Sequence, residues 1–359
     1  MAIYVDHTHL GRHVTGLERI TLELFSAAAL APLEVVPVTA HGTRQMVTRQ
    51  TFGLPLRLAA SGSVLLCPGF PPSPLLLPFA SRVLPYIHDI FLLSRPDDLN
   101  RRARLYMAAP FRLALRRYPR FLANSRDTRQ KLAAHCRPDA AITLYRPPVR
   151  NVFALQPRLR DARETRPLRL VALGTVEPRK NFVAAAKILG ALRERGFPDA
   201  TLDIVGRQGW GNDWPTLAAS PGVTLHGYQS TERVRQLLHG ADIFICTSHD
   251  EGLGLPLLEA QYGGLPVVAP DAAIFREVLD NSGIFINPAD PAEAAATIAA
   301  GVSQPHWLAD YAVRAAQNLA RWNALATADR DAVIGLIAEL AGRQVSGRTA
   351  YRDNSVLRP

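Results

Sequence analysis

The sequence predicts an α/β protein built from two doubly wound domains. Three observations carry that reading. The chain has 359 residues, about twice the size of a common domain. Its composition, 48% hydrophobic and 20% charged, lets each half bury a core. Short apolar runs alternate with helical patterns, as expected of a parallel sheet wrapped by helices.

In the first half, residues 3–5 read as a strand and 16–29 as a helix following a turn. Residues 35–38, 64–66 and 83–87 are the next strands, and 99–121 has a largely helical pattern that Pro110 should break. The arginine-rich stretch 151–166 lacks a period and is the expected linker, giving domains over 1–160 and 161–325. In the second half, 168–173, 201–205, 223–225, 242–247 and 267–269 read as strands. Helices are expected over 182–195, from a Ser230 cap to about His239, and over 255–262. A helix over 326–342 and a loose tail over 343–359 close the chain.

Composition narrows the function. Cys67, Cys136 and Cys246 lack metal-ligand or redox-pair spacing, so neither a zinc site nor a disulfide framework is expected, and a reducing cytoplasm fits. The first residues carry no signal-peptide pattern. No apolar run approaches the roughly 20 residues of a membrane span. The greasiest stretch, 64–79, is broken by Pro68, Pro71, Pro72, Pro74 and Pro78. A soluble or peripheral protein is the expectation. Net charge is +10, but residues 1–150 hold 20 Lys/Arg against 9 Asp/Glu, and the remainder is nearly balanced. From Arg101 to Arg126 there are eight arginines and no acid, interleaved with Leu105, Tyr106, Phe111, Leu113, Leu115 and Phe121. That pattern fits a surface helix, docking to anionic lipid, or both. No nucleic-acid module accompanies the charge.

The chemistry concentrates between Asp242 and Pro270. A strand ends near Ser248, a loop holds Gly252, Leu253 and Gly254, and a helix starts at Leu255 with Pro256 in its first turn. Gly263 and Gly264 suit the helix exit. Glycines let a ligand approach the backbone, and the helix entry offers free N–H groups, so this junction is a diphosphate seat at a sheet edge. Glu251 and Glu259 flank it, on the order of 10 Å apart or less. Carboxylates there suit the hydroxyls of a sugar and a ribose.

This segment resembles the Glu-x7-Glu signature of the large retaining glycosyltransferase family four. A second match is Gly174-Thr175-Val176-Glu177-Pro178-Arg179-Lys180-Asn181, similar to that family's loop after the first donor-domain strand. The resemblance implies the GT-B fold, two Rossmann-like domains facing across a cleft, with the acceptor on the first and the donor on the second. It implies that Lys180 and Arg179 reach the donor diphosphate, although Thr175 stands where many relatives carry Arg. Tyr228, in Val223–Tyr228, is a candidate for the base pocket or for the core. Gly16, in the 15–19 loop, is implied to face the donor phosphates. Asn124-Ser125-Arg126 matches a structural segment, and Arg321-Trp322-Asn323 resembles the aromatic spot before a C-terminal helix that crosses back to the first domain. His88 and Asp89 fall where the family often carries a His-Asp pair, which places His88 beside the donor sugar with Glu251 as its catalytic partner. Asp89 either orients His88 or caps the next turn.

The implied activity is retaining transfer of a hexose from a nucleoside-diphosphate sugar to a glycan acceptor. The first-domain pattern resembles bacterial mannosyl- and deoxyhexosyl-transferases of surface polysaccharide assembly. A GDP-linked donor, a lipid-linked acceptor and a peripheral place on the inner face of the cytoplasmic membrane are therefore expected. No cofactor or metal is expected. The one Asp-x-Asp, Asp329-Arg330-Asp331, reads as helix surface. There is no Gly-x-Gly-x-x-Gly after a strand and no Walker lysine, which disfavours dehydrogenases and P-loop enzymes. A GT-B epimerase or phosphorylase, or a non-catalytic partner in glycan assembly, remains the alternative.

Overall fold

A computed structural model describes residues 2–11, 16–94, 107–157 and 167–342. It contains two six-stranded parallel sheets. The first runs β1 (Ile3–His7), β2 (Val35–Thr39), β3 (Val64–Cys67), β4 (Val83–Ile87), β5 (Arg120–Ala123) and β6 (Ala141–Leu144), in spatial order β2-β1-β3-β4-β5-β6. The second runs β7 (Arg169–Leu173), β8 (Thr201–Val205), β9 (Val223–Gly227), β10 (Ile243–Ile245), β11 (Val267–Pro270) and β12 (Gly283–Ile286), ordered β12-β11-β10-β7-β8-β9. Strands covered on both faces must be apolar throughout, and every residue of β3, β4 and β11 is buried. Strand order reverses beside β1 and beside β7, and such a reversal opens a crevice at the carboxyl ends of the strands.

The described α-helices of six or more residues are α1 (Gly16–Phe25), α2 (Gly42–Thr48), α3 (Leu54–Ala60), α4 (Ala109–Arg117), α5 (Arg126–Ala133) and α6 (Phe182–Glu194). They continue with α7 (Asp213–Ala218), α8 (Thr231–Gly240), α9 (Leu255–Gln261), α10 (Ala273–Leu279), α11 (Pro291–Val302) and α12 (Trp307–Leu340). Ser230 caps α8 as expected, its hydroxyl accepting from the Arg233 N–H. Elsewhere the structure corrects the sequence reading. The helix expected over 16–29 stops at Phe25. Within 99–121, Pro110 sits in the first turn of α4, which directly follows two residues in a π-helical turn, so the helical geometry changes at this proline. Residues 120–123 are strand, because Phe121, Leu122 and Ala123 are buried between β4 and β6, and tertiary pairing overrides the local helical period. Residues 95–106, 158–166 and the 343–359 tail lie outside the described residues.

The helix expected over 326–342 is the last part of α12, which begins at Trp307 and runs 34 residues, about 50 Å. Its first half packs on the second sheet's helices, where Asn318 donates to Gln261 at 2.8 Å. Its second half reaches the first, where Arg330 donates to the Ala29 carbonyl at 2.7 Å. Trp322 is fully buried midway, its indole N–H on the Pro147 carbonyl at 3.0 Å. The largest apolar cluster crosses this joint, joining Ile20, Leu24 and Tyr86 to Leu253, Leu257 and Phe275. A separate core lies under each sheet.

Candidate functional site

Glu251 lies in the loop that leads from β10 to α9, and only 8% of its side chain is exposed. One carboxylate oxygen accepts from Lys180 Nζ at 2.6 Å and from Ser248 Oγ at 2.7 Å. The other accepts from Arg179 at 2.9 Å. Burial pushes this carboxyl up, but Lys180 and then Arg179 outweigh it and hold the pKa below the usual value. Arg179 also binds Glu177 at 2.8 Å and lies 4.9 Å from the centre of the Phe91 ring of the first half. Lys180 and Arg179 come from one 3₁₀ turn, Pro178–Lys180, whose exit residue Asn181 is left-handed. Lys180, Glu251 and Gly254 line a void of only about 20 Å³, because the cations bond to the acid.

Both loop glycines answer a backbone requirement. Gly254 has φ +78° and precedes α9, with Pro256 in that helix's first turn. Gly252 has no room for a side chain, since a Cβ there would lie 2.4 Å from the His88 carbonyl oxygen. The two halves therefore touch at the predicted seat. Leu253 and Leu255 are buried, so only their backbone is positioned to meet a ligand. At the other helix end the left-handed residue is Gly264 rather than Gly263.

His88 follows β4. Its Nε2 lies 2.7 Å from the Pro68 carbonyl, which can only accept, so Nε2 carries the proton and Nδ1 keeps its lone pair. Burial lowers its pKa to about 4. Asp89 does not orient it. Its carboxylate caps the following turn by accepting from the Phe91 N–H at 3.0 Å, and burial raises its pKa to about 6. Beside His88, His9 is buried with Nε2 3.0 Å from the Thr21 hydroxyl, and its pKa is also lowered to about 4, by burial and then by His7 and His88.

Glu259 is buried on α9 and ion-paired to Arg19 of α1, a residue of the first half. Burial raises its pKa against the pull of Arg19. Arg19 also lies 3.4 Å from Glu23, one turn on. Gly16, at the start of α1, is exposed with open space around it. Tyr228 is 84% exposed after β9, which removes the core alternative. The structure thus gathers His88, Arg179, Lys180, Glu251, Gly252 and Gly254 at one junction, sets Glu259 one helix turn beyond, and leaves Tyr228 apart.

Sequence reasoning passed over Arg19, Ser248, Lys131 and Asp329. Ser248 stands three residues before Glu251, and Arg19 lies inside the 15–19 motif, so a signal existed for both. Lys131 binds Asp250 at 2.9 Å across the cleft. Asp329, read from the sequence as surface, binds Arg146 at 2.7 Å, while Asp331 alone of that motif is largely exposed.

Two six-stranded parallel sheets meeting at a glycine-rich helix entry define a GT-B glycosyltransferase fold. Residues 167–303 match the family described as glycosyl transferases group 1. The chain is 30% identical over 143 residues to O-antigen chain mannosyltransferase B of Escherichia coli, a match covering 38% of this chain and 37% of that protein. The matched segment therefore spans well under half of that relative. Among solved structures it resembles sucrose-phosphate synthase from Thermosynechococcus elongatus (16% identity, TM-score 0.69, covering 94% of this chain and 100% of that one). It also resembles Anabaena HepE in complex with UDP and glucose (17% identity, TM-score 0.64, 95% and 99%).

Proposed function

We propose that this protein is a retaining glycosyltransferase that moves a hexose from a nucleoside-diphosphate sugar to a glycan acceptor in polysaccharide assembly. One observation carries the reading: Lys180, Arg179 and Ser248 converge on Glu251 at the entry of α9, where the next residue, Gly252, lies against the His88 carbonyl. A donor diphosphate at that entry takes Lys180 and Arg179 from Glu251, and the released carboxylate accepts from the sugar hydroxyls. The backbone of 252–255 supplies N–H groups to the phosphates. Glu259 serves the ribose, Gly16 keeps the first-domain side of the seat open, and Tyr228 offers its exposed ring to the base. His88, neutral and with Nδ1 free to accept, holds a sugar hydroxyl rather than donating to it. In a same-face transfer the acceptor oxygen bonds to the anomeric carbon as the sugar–phosphate bond breaks, and the acceptor proton passes to the departing phosphate.

The mannosyltransferase relative supports mannose as the transferred sugar, GDP-mannose or a GDP-deoxyhexose is the donor the sequence leads us to try first, and HepE's UDP keeps uridine donors in the panel. Phosphate neutralisation by Lys180 and Arg179 requires no metal, so full activity in EDTA is expected. The test is thermal shift with a panel of nucleoside-diphosphate sugars, followed by transfer to manno-oligosaccharides and NMR of the new linkage. Stabilisation by one donor class and an α product from an α donor are expected. Absence of binding to every member of the panel overturns the reading, and a β product overturns the retaining part of it.

A further inference from the structure

A groove lies outside the donor seat. It holds about 490 Å³ between α1, the segment leaving β6 and α12, at the joint between the two halves. Sites of this size, about 300–1,000 Å³, with an apolar lining and a few convergent polar groups, characteristically hold small ligands and oligomers. Leu22, half exposed, and Pro148 give it apolar surface. Glu23 enters from α1, Arg150 from the segment after β6, and Thr327 from α12.

The charges here are unevenly spent. Arg330 is bonded to the Ala29 and Ala31 carbonyls, each at 2.7 Å. Arg19 is paired to Glu259, yet its Nε has no hydrogen-bond partner. One Glu23 carboxylate oxygen, Oε2, is likewise buried without a partner. Arg150 is exposed, faces Glu23, and makes no hydrogen bond or ion pair among the described residues. What remains without a partner is the Arg150 guanidinium and one oxygen of Glu23, whose other oxygen lies 3.4 Å from Arg19 Nε. That balance disfavours a phosphate, which needs a surplus of cations, and suits a neutral polyol. Neighbouring hydroxyls donate to a carboxylate and accept from a guanidinium, while the C–H face of a sugar ring lies on apolar surface.

We propose that this groove binds a stretch of neutral glycan, the acceptor chain away from its reacting end, with Glu23 and Arg150 as polar anchors. The proposal rests on the transferase reading above and deepens it with a second carbohydrate subsite. Its place fits, because Arg19 belongs to both the groove and the Glu259 pair, so an occupant lies next to the donor cleft without entering it.

The probes are α-linked mannotetraose and, as a second arm, maltotetraose, titrated by calorimetry and saturation-transfer NMR into the full chain. At least one tetrasaccharide is expected to bind the wild type. Arg150→Ala, which removes an anchor, and Thr327→Trp, which fills the groove from an exposed position on α12, should each weaken binding at least tenfold. Glu251→Gln, in the donor seat, should leave tetrasaccharide affinity within about threefold. Thermal midpoints of all variants check folding. Absence of binding by both tetrasaccharides, unchanged affinity in both groove variants, or loss of binding in Glu251→Gln overturns the proposal. Nucleoside-diphosphate-sugar binding is measured in parallel on the wild type. Its absence sinks the transferase reading, and its presence with an unresponsive groove sinks only this one.

Discussion

Glu251 has three partners and almost no contact with water, which makes it costly to disturb in two separate ways. Losing the Glu251 carboxylate leaves Lys180 and Arg179 facing each other, whereas losing Lys180 still leaves Arg179 on Glu251; Glu251→Gln keeps an acceptor for Ser248 and Lys180 while removing the charge. With saturating donor, Glu251→Gln and Lys180→Met should each lower transfer by about 10²–10³-fold, matching about 3–4 kcal/mol of transition-state stabilisation. Circular dichroism and a thermal midpoint taken alongside separate that loss from unfolding, and near-wild-type turnover in either variant would remove the residue from the site. His88 gives a pH test. Its folded pKa of about 4 lies below the 6.5 of the unfolded chain, so its contribution is fully present above pH 6.5 and is lost as pH falls towards 4. Relative to His88→Gln, which keeps a donor for the Pro68 carbonyl, the wild type should lose about 1–3 kcal/mol between pH 7 and pH 4. Urea titrations of both proteins at several pH values measure the difference, and a constant gap would mean that His88 is not held neutral.

At the scale of elements, α5, α10 and α12 form the bolt between the halves. The backbone N–H groups of Arg126 and Asp127, at the start of α5, donate to the two carboxylate oxygens of Glu277 on α10 at 2.9 and 3.0 Å. Arg146, 2% exposed, joins Glu277 at 3.0 Å to Asp329 of α12 at 2.7 Å. Arg146→Met should destabilise by about 3 kcal/mol, the low end for a broken buried pair, because Glu277 keeps its N–H partners. Arg146→Lys should rescue little, since a single ammonium cannot hold two carboxylates on separate helices. Thermal or urea midpoints check both. This bolt also marks where the sequence stops being readable. The β7–β11 alternation and the glycine-framed junction at 251–259 are legible because period and spacing are local properties. So is Lys180, which a short motif ties to a strand end. Strands β5 and β6 are not, because four residues carry no reliable period and their identity comes from lying beside β4. Arg146, Arg19 and Lys131 pair with residues more than a hundred positions away, and nothing local marks them.

Across the whole molecule, the joint is apolar, continuous and bridged by α12, while the positive charge stays on one half. On that half, α4 buries Phe111, Ala114 and Leu115 and exposes Arg112, Arg116 and Arg117. It packs against the stretch Pro74–Arg82, which in turn meets α3 and the turn before it. The expected apolar loop folds largely onto its own domain, with Leu76 buried, but it leaves Leu75 exposed. Phe52 and Leu56, on those neighbouring elements, are 56% and 68% exposed. No described helix is long and apolar enough to cross a membrane. We propose that these apolar side chains, next to an arginine row, rest on anionic lipid, each basic residue there adding about 1 kcal/mol. The lipid-linked acceptor expected from the sequence would be met at that surface. Sedimentation with phosphatidylcholine vesicles containing increasing phosphatidylglycerol should show binding that rises with the anionic fraction and falls in high salt. Arg112→Glu with Arg116→Glu and Arg117→Glu should abolish the dependence on lipid charge. Phe52→Ser with Leu56→Ser should weaken binding to all vesicles while leaving the salt dependence in place. Equal binding to neutral and anionic vesicles would remove the membrane from the proposal and leave the donor-site reading untouched.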